Sequence, residues 1–244
     1  MENIYESNRT LGEYLLFHFG SREEQFPWTE GPLDALDFPR RTVEELIDLT
    51  SSIEYALDVG CSVGRSSFVL AGIAGSVTGI DYSSAFIDAA KTILESGELN
   101  YEYQEEADRL NKGKASIDTK PNNLHFEVGD ACNLRDDLGS FDLVHAANLL
   151  CRLPDPQTFL ARLNDLVSPG GQLLLTTPFT WLEEFTPRER WVKGEDCASS
   201  LKQILDPFFE LEYEINMPFL LREHKRKFQY TMALGMRWRR KRDP

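Results

Sequence analysis

Short apolar runs alternate with amphipathic stretches along most of the chain, and turn-forming residues separate them. The apolar runs predict strands at residues 56–59, 77–81, 124–131, 141–148 and 172–177. Helical periodicity predicts helices from Arg65 onward and at 85–94, 156–167 and 199–205. The last runs, 208–216 and 227–238, predict an antiparallel hairpin at the sheet edge. This alternation is typical of one doubly wound α/β domain over residues 1–244.

The N-terminal segment, residues 1–41, precedes this alternation. It contains a short apolar helix at 11–20, closed by glycine, and an aromatic loop with proline at 38–41. Thr42 is positioned to cap a helix over 43–51. The segment is either a lid over the ligand edge of the sheet, contributing to a substrate site, or ordinary cover for the core.

An insertion at 97–123 separates the predicted helix at 85–94 from the strand that begins at Leu124. Residues 101–104 alternate like a strand, and 113–122 read as a loop. Minimal folds of this type connect here in a few residues. The insertion is therefore either a surface flap or part of a substrate pocket.

A tight glycine turn follows the first predicted strand. Gly60 and Gly64 bracket it, and a helix begins at Arg65. A strand, a turn without bulky side chains and a helix N-terminus together form a cradle for a ligand. The next strand ends at Asp81, whose carboxylate can accept hydrogen bonds from both hydroxyls of a ribose. The spacing matches neither the G-x-G-x-x-G dinucleotide motif nor a lysine-bearing phosphate loop.

Acidic side chains dominate the charge, with 40 Asp and Glu against 26 Lys and Arg and a net charge of −14. Nucleic-acid binding needs a basic face, so this balance argues against nucleic acid as the main partner. Basic residues concentrate from Arg222 to Pro244. The final run at 239–242 is predicted to be a solvated tail.

Cysteine spacing and hydropathy exclude further classes of protein. Cys61, Cys132, Cys151 and Cys197 form no C-x-x-C pair, so no metal site is predicted. Cys61, beside the glycines, is expected to fill a narrow space rather than to act as a nucleophile. No signal peptide or membrane span is recognisable, and we expect a cytoplasmic protein with reduced thiols.

Four motifs resemble those of class I methyltransferases that use S-adenosylmethionine (SAM). They are the glycine turn, the strand ending at Asp81, the strand ending in Gly129-Asp130-Ala131, and the strand ending at Asn148. The resemblance implies SAM as cofactor and S-adenosylhomocysteine as product, with Asp81 on the ribose, Asp130 near the adenine amino group and Asn148 beside the transferred methyl. The cofactor-binding residues that it implies are Asp58, Gly60, Cys61, Gly64, Asp81, Tyr82, Asp130, Ala131 and Asn148.

Blocks outside these motifs resemble the methyltransferase domain of ovothiol biosynthesis. They are residues 14–20, 147–153, 180–187 and 222–229. The resemblance implies methyl transfer to the π nitrogen of the imidazole in 5-thiohistidine, which gives ovothiol A. In much of that family the domain is fused behind an iron-dependent sulfoxide synthase, so a sulfoxide synthase domain or protein is an implied partner.

Such a substrate requires aromatic walls, an anchor for its carboxylate and a polar group for its ring. The candidate walls are Tyr14, Phe179 and Trp181. The candidate anchor is Arg222, with Arg40 as the alternative, and the candidate polar groups, which we also take as catalytic, are His18, His224 and Asn148. Each has a structural alternative: Arg222 and His224 alternate as strand-edge residues do, and His18 lies in an apolar helix.

Other functions stay open on the sequence alone. One is SAM-dependent methylation of another small amine, acid or thiol, which the cofactor motifs do not distinguish. A second is a non-catalytic module with the same fold, against which the intact Gly60, Gly64, Asp81 and Asp130 argue. A nucleic-acid methyltransferase is disfavoured, because both a basic face and an Asn-Pro-Pro-Tyr-like motif are missing.

Overall fold

The computed structural model describes residues 4–242, and its centre is one mixed β-sheet. The strands are β1 Tyr55–Val59, β2 Ser76–Asp81, β3 Glu98–Glu106, β4 Arg109–Ser116, β5 Leu124–Val128, β6 Phe141–Ala147, β7 Val167–Thr177, β8 Phe209–His224 and β9 Lys227–Arg240. The α-helices are α1 Asn8–Phe19, α2 Arg22–Gln25, α3 Phe38–Glu44, α4 Arg65–Ala71, α5 Ser84–Ser96, α6 Pro156–Leu166 and α7 Cys197–Leu205.

The sheet has the order β5-β2-β1-β6-β7-β9-β8, and β3 pairs with β4 in a separate hairpin. The strands from β5 to β7 are parallel to their neighbours, whereas β9 and β8 are antiparallel. Leu57 belongs to an apolar layer with α6 and α7, and Ala56 to the opposite layer with α3, α4 and α5. The predicted doubly wound, Rossmann-like α/β sheet and its edge hairpin are therefore confirmed.

The parallel strands all end on one side of the sheet, at Val59, Asp81, Val128, Ala147 and Thr177. We call this side the carboxyl edge. In open α/β sheets ligands bind in the crevice outside the carboxyl ends of the strands. The positions of the other elements relative to this edge therefore decide what the protein can bind.

Helix α3 corrects the predicted N-terminal elements. The predicted loop at 38–41 is the first half of α3, where Pro39 is tolerated because its missing N–H would be unpaired there. The predicted helix at 43–51 ends already at Glu44. Thr42 is no cap, because it lies inside α3 and its hydroxyl donates to the Pro39 carbonyl, 2.9 Å away.

Strand β4 corrects the predicted loop at 113–122. Residues Arg109–Ser116 form a ladder with β3, from the pair Glu106 and Arg109 to the pair Glu98 and Ser116. The polar sequence gives little local preference for a strand, so cross-strand pairing and packing against α1 decide the structure.

The basic run at 239–242 is only partly the predicted solvated tail: Lys241 and Arg242 are exposed, whereas β9 continues to Arg240. Arg239 donates to Glu212 at 2.8 Å and to Asp48 at 2.7 Å. Arg240 donates to the carbonyl oxygen of Asn164. Acidic and carbonyl partners that are distant in the sequence therefore hold this part of the chain on the sheet.

The N-terminal segment lies over the carboxyl edge. Ser7 caps α1 by accepting from the Thr10 amide. Leu15 and Leu16 share an apolar cluster with Val63 of the glycine turn. That the segment opens and closes as a lid stays a prediction.

The edge hairpin also projects beyond the carboxyl edge. Thr177, the last residue of β7, pairs with Leu234, so residues 217–224 and 227–233 continue past it. Phe219 in this projection packs against Phe38, with ring centroids 4.8 Å apart. Helix α1, the β3–β4 hairpin and this projection contact one another, and we call them together the cap.

A glycine lets α1 and the β3–β4 hairpin approach closely. A Cβ atom at Gly12 would fall on the carbonyl oxygen of Glu102, well inside contact distance. We expect Gly12→Ala to lower the free energy of unfolding by about 1–3 kcal/mol, because α1 must shift away from β3. The control is Gly72→Ala, where the nearest atom is an ordinary 3.4 Å away. Chemical denaturation that shows equal stability for both variants would contradict this packing.

Candidate active site

The glycine turn has a backbone that bulky side chains would disrupt. Gly60 and Gly64 have φ angles of 74° and 92°, and Ser62 between them has 52°. A Cβ atom at Gly64 would lie 2.6 Å from the ring of Phe126. The hydroxyl oxygen of Ser62 is buried and lacks a hydrogen-bond partner among the described residues. The turn is therefore a narrow cradle that contains an unsatisfied polar atom.

Asp81 ends β2 and faces this turn. Its carboxylate accepts from the backbone amide of Ser62 at 2.8 Å and from that of Ser83 at 2.9 Å. Burial raises the pKa of Asp81 to about 6, although both hydrogen bonds favour the ionised form. A carboxylate has about four acceptor positions, so positions for the two hydroxyls of a ribose remain.

Asp58 lies beneath the turn, in the core. It is 1% exposed. Its Oδ2 accepts from the hydroxyls of Ser66 at 2.8 Å and Ser67 at 2.6 Å, and its Oδ1 is 2.7 Å from Nδ1 of His145. The direct cofactor contact expected of Asp58 is therefore not supported. Asp58 instead holds the start of α4 against β1 and β6.

His145 extends this buried network to α3. Its Nε2 is 2.9 Å from the hydroxyl of Thr42, which gives its only proton to Pro39. The imidazole of His145 therefore links Asp58 of β1 to Thr42 of α3 inside the core. Burial alone would raise the pKa of Asp58, but His145 and the serine hydroxyls hold it below its usual value.

Cys61 is 1% exposed and packs in the apolar core. Burial raises the pKa of its thiol well above the usual value. The residue can therefore contribute its backbone to a cofactor site, but not its side chain. This agrees with the expectation that Cys61 fills a narrow space.

The expected adenine residues lie at the ends of β2 and β5. Tyr82, next to Asp81, is 66% exposed, so its ring is free to cover a base. Asp130 accepts from the amide of Cys132 at 2.8 Å, which fixes the loop after β5. Ala131 is 8% exposed and packs in the apolar core below the loop. The arrangement is suited to a flat base between the two loops.

Asn148 lies at the end of β6 in a left-handed conformation, with φ of 52°. Its amide donates to the Thr176 carbonyl at 2.9 Å, and its Oδ1 accepts from the Thr176 hydroxyl at 3.0 Å. Such backbone strain in a residue other than glycine persists only where its surroundings hold it. Asn148 is therefore a fixed polar group on the carboxyl edge.

Tyr14 and His18 share one face of α1 on consecutive turns, with ring centroids 6.2 Å apart. His18 is 8% exposed, and its Nδ1 has no hydrogen-bond partner among the described residues. Burial lowers the pKa of His18 to about 3, and the neighbouring Arg65 adds to this effect. The His18 imidazole is therefore neutral at physiological pH, in an aromatic surrounding next to the turn.

Phe179 and Trp181 follow β7 at the carboxyl edge. Phe179 has a φ angle of 53°, and its amide donates to the Thr177 hydroxyl at 3.2 Å. Trp181 stacks on Trp191 with ring centroids 6.4 Å apart, and its buried indole nitrogen lacks a partner among the described residues. Both rings lie on the side of the sheet where the aromatic walls are expected.

The structure does not bring the predicted anchors to this place. Arg222 is buried in the cap, where its guanidinium pairs with Glu105 and donates to the Glu24 carbonyl. Its predicted role as anchor for the substrate carboxylate is not supported, because the carboxylate of Glu105 already pairs with its guanidinium. Arg40 pairs with Glu44 at 2.7 Å, beside a surface hollow of about 400 Å³ that contains no residue of the glycine turn.

His224 is likewise separate from the turn. It lies at the far end of the β8–β9 hairpin and lines a second hollow, of about 450 Å³, with Arg9 and Lys227. Its Nδ1 accepts from the amide of Arg226 at 3.2 Å. The prediction of a ring contact by His224 therefore has no support in this arrangement.

Two residues at the carboxyl edge were missed in the sequence. Arg152 donates to the carbonyl oxygen of Thr180 at 2.9 Å, and the hydroxyl of Tyr5 is hydrogen-bonded to Arg152 and Tyr14. In the sequence, Arg152 could have been found by its position, because it follows the strand end at Asn148 by one turn. Tyr5 had no signal, because only the path of the N-terminal segment brings it here.

SAM fits the residues that are present. The turn admits no side chain at Gly60 or Gly64 and presents the unpaired Ser62 hydroxyl. Asp81 retains acceptor positions for a ribose, and the loops at Tyr82 and Asp130 are open for a base. The donors and acceptors match those of a nucleoside with an amino-acid tail, which is the chemistry of SAM.

Comparison with known proteins agrees with this fit. Residues 57–175 match the family described as "Methyltransferase domain". The chain is similar to the ubiquinone biosynthesis O-methyltransferase of Coxiella burnetii, with 32% identity over 135 residues, which are 55% of this chain and 47% of that protein. The chain thus spans about half the length of the curated relatives that it matches first.

Solved structures of low identity share the fold. A SAM-dependent methyltransferase of Methanosarcina mazei has a TM-score of 0.55 at 20% identity and covers 80% of this chain and 96% of its own. The N-methyltransferase NodS of Bradyrhizobium japonicum, in complex with S-adenosylhomocysteine, has a TM-score of 0.54 at 15% identity and covers 94% and 98%.

Family match, fold and site together are those of the SAM-dependent methyltransferase class. The match covers residues 57–175, the sheet has the class I fold, and SAM is the cofactor that this class uses. The alternative of a non-catalytic module is not supported.

Among the described residues, no group of acidic, histidine and cysteine side chains could hold a metal ion. No helix within residues 4–242 is long and apolar enough to cross a membrane.

Proposed function

We propose that the protein transfers the methyl group of SAM to the π nitrogen of the imidazole in 5-thiohistidine, which gives ovothiol A. The observation that carries the proposal is the buried, neutral His18 imidazole, whose Nδ1 has no partner among the described residues. It lies with Tyr14 in an aromatic wall next to the glycine turn. The wall suits a flat ring, and the free nitrogen suits a ring N–H.

Sequence blocks support the identity of that ring. The segments 14–20, 147–153 and 180–187 resemble the methyltransferase domain of ovothiol biosynthesis, and they contain Tyr14, His18, Asn148 and Trp181. The fourth block, 222–229, lies in the cap. A thiolated histidine also requires an enzyme that forms its carbon–sulfur bond, so a sulfoxide synthase, as a protein or as a further domain, is the proposed partner.

Orientation of the ring is the main task of the chain, because the thiolate is a better nucleophile than either ring nitrogen. Bound SAM supplies an electrophilic methyl group on its sulfonium. His18 Nδ1 accepts a hydrogen bond from the τ N–H, which neighbours the sulfur-bearing carbon. This contact turns the sulfur toward α1 and leaves the π nitrogen facing Asn148. Positioning of this kind supplies a large part of the rate enhancement in group transfer.

Methyl transfer to the oxygen of a small phenol is the second candidate. The observation that favours it is the similarity to ubiquinone biosynthesis O-methyltransferases. The family match covers residues 57–175, which excludes α1 and the β8–β9 hairpin. The part of the chain that carries His18 and Tyr14 is thus outside the match. The substrate panel described next also tests whether another small amine, acid or thiol is the methyl acceptor.

A substrate panel tests the proposal. We expect kcat/KM for 5-thiohistidine to exceed that for histidine by about 100-fold, because the sulfur fills space beside α1 that histidine leaves empty. Purified protein, SAM and 5-thiohistidine, histidine, catechol or an unrelated amine are incubated, and methylated products are quantified by mass spectrometry. Equal rates on 5-thiohistidine and histidine would contradict the assignment, and methylated catechol alone would favour the second candidate.

A further inference from the structure

Arg152 is a cation at the carboxyl edge that no carboxylate of the described chain neutralises. It ends the short 3-10 helix Leu150–Arg152, one turn after Asn148. Its Nη1 donates to the carbonyl oxygens of Thr180 at 2.9 Å and Cys151 at 3.0 Å. These bonds join the loop after β6 to the loop after β7. They hold the guanidinium where both loops border the site.

Aromatic side chains surround this guanidinium. Its Cζ lies 5.1 Å from the ring centroid of Phe185. Tyr5 lies 6.1 Å from the same ring, and its hydroxyl is hydrogen-bonded to Arg152 and to Tyr14 of the cap. Asp81 is near enough to act electrostatically on the Tyr5 phenol. Arg152 is therefore close to both the cofactor residues and the cap.

Other arginines of the region do not offer the same combination. Arg222 and Arg40 are paired with Glu105 and Glu44. Arg65 lies over the ring of Phe19, 5.5 Å from its centroid. The charged groups that act on it most strongly are Arg40 and Asp37, in and before α3. Arg152 is thus the arginine whose neighbours are the ends of β6 and β7.

We propose that Arg152 binds the carboxylate of the amino-acid substrate, assisted by the Tyr5 hydroxyl. The inference rests on the proposed function, since it assumes an acceptor with an α-carboxylate. The net charge of −14 repels such a substrate, so a local cation is required. Nη1 is engaged by the two loops, and the rest of the planar guanidinium can donate to a carboxylate as a fork. The ring of the substrate then extends toward Tyr14 and His18.

The test compares 5-thiohistidine with its decarboxylated analogue, 5-thiohistamine, at saturating SAM. We expect the parent protein to prefer 5-thiohistidine in kcat/KM by about 10- to 100-fold, because the analogue leaves the cation unpaired. Arg152→Ala should raise KM for 5-thiohistidine until both compounds react alike. Arg152→Lys keeps the charge, and its preference for 5-thiohistidine in kcat/KM should lie between those of the parent and of Arg152→Ala. Calorimetry should find the SAM dissociation constant of both variants within about twofold of the parent.

The ratio of the two substrates separates binding from structural damage. Loss of the bonds to Thr180 and Cys151 alone would slow both compounds equally. The control is Arg162→Ala on α6, which removes an arginine paired with Asp165 at 3.0 Å and should keep the parent ratio. An Arg152→Ala protein with the parent ratio overturns the inference alone. A parent protein inactive on both compounds overturns the proposed function and this inference with it.

Discussion

Replacing Asp58 with alanine is expected to lower the free energy of unfolding by about 3–5 kcal/mol, because it removes the centre of a buried hydrogen-bond network and leaves three polar groups without their partner. The imidazole of His145, which is 0% exposed, would lose its partner at Nδ1. The hydroxyls of Ser66 and Ser67 would lose their acceptor. The effect should extend to the glycine turn, since these serines fix the first turn of α4.

Urea denaturation of parent and variant measures this difference. The control is Asp137→Ala, which removes a carboxylate whose side chain is 82% exposed and should change stability by less than about 0.5 kcal/mol. The Asp58 effect also depends on pH. The pKa of Asp58 is lowered from 3.8, so its contribution persists above about pH 4 and is lost as the pH falls below it. A variant as stable as Asp137→Ala at pH 7 would contradict this role of the buried hydrogen-bond network.

Asp81→Asn is expected to weaken SAM binding by about 10- to 150-fold, which corresponds to about 1.5–3 kcal/mol for hydrogen bonds to a charged group. The amide cannot accept as a carboxylate does, and its N–H₂ would face the amides of Ser62 or Ser83. Titration calorimetry measures the dissociation constant. Asp88→Asn, on the exposed side of α5, is the matched control and should bind as the parent does.

The pH dependence of SAM binding provides a second readout of Asp81. Burial raises the pKa of this carboxyl from 3.8 to about 6. Between these pH values the folded protein without cofactor therefore binds a proton at Asp81 that the unfolded chain does not. Its stability therefore decreases as the pH rises from about 4 to about 6. SAM affinity should change in the opposite direction and fall as the pH drops through 6, because only the carboxylate accepts both ribose hydroxyls. Asp81→Asn should lack this dependence. Affinity that is flat from about pH 5 to 8 in the parent would remove Asp81 from the ribose.

Local patterns were sufficient for the sheet and the cofactor turn. The strands before Gly60 and up to Asp81 are short apolar runs, and the turn has a spacing that few backbones tolerate without glycine. Such features depend on neighbours in the sequence. The carboxyl edge then follows from the rule that parallel strands end on one side.

Residues whose roles depend on distant partners could not be assigned in this way. Arg222 was predicted to anchor the substrate carboxylate, but Glu105, 117 residues away, pairs with its guanidinium. Thr42 was predicted to be a helix cap, and the partner that explains its position is His145, 103 residues away. The one sequence feature that marks Arg152 is its position a turn after the strand end at Asn148, and this does not predict which groups surround it. Only the meeting of the loops after β6 and β7 makes it a candidate.

The most direct test of the central claim is the position of the methyl group in the product. SAM labelled with ¹³C in its methyl group is reacted with 5-thiohistidine, and long-range proton–carbon NMR correlations of the labelled methyl are recorded. Methylation of the π nitrogen predicts correlations to the ring carbon between the nitrogens and to the ring carbon that bears the side chain. A methyl that correlates with the sulfur-bearing carbon, alone or with the carbon between the nitrogens, would mark the sulfur or the τ nitrogen as the acceptor and contradict the account.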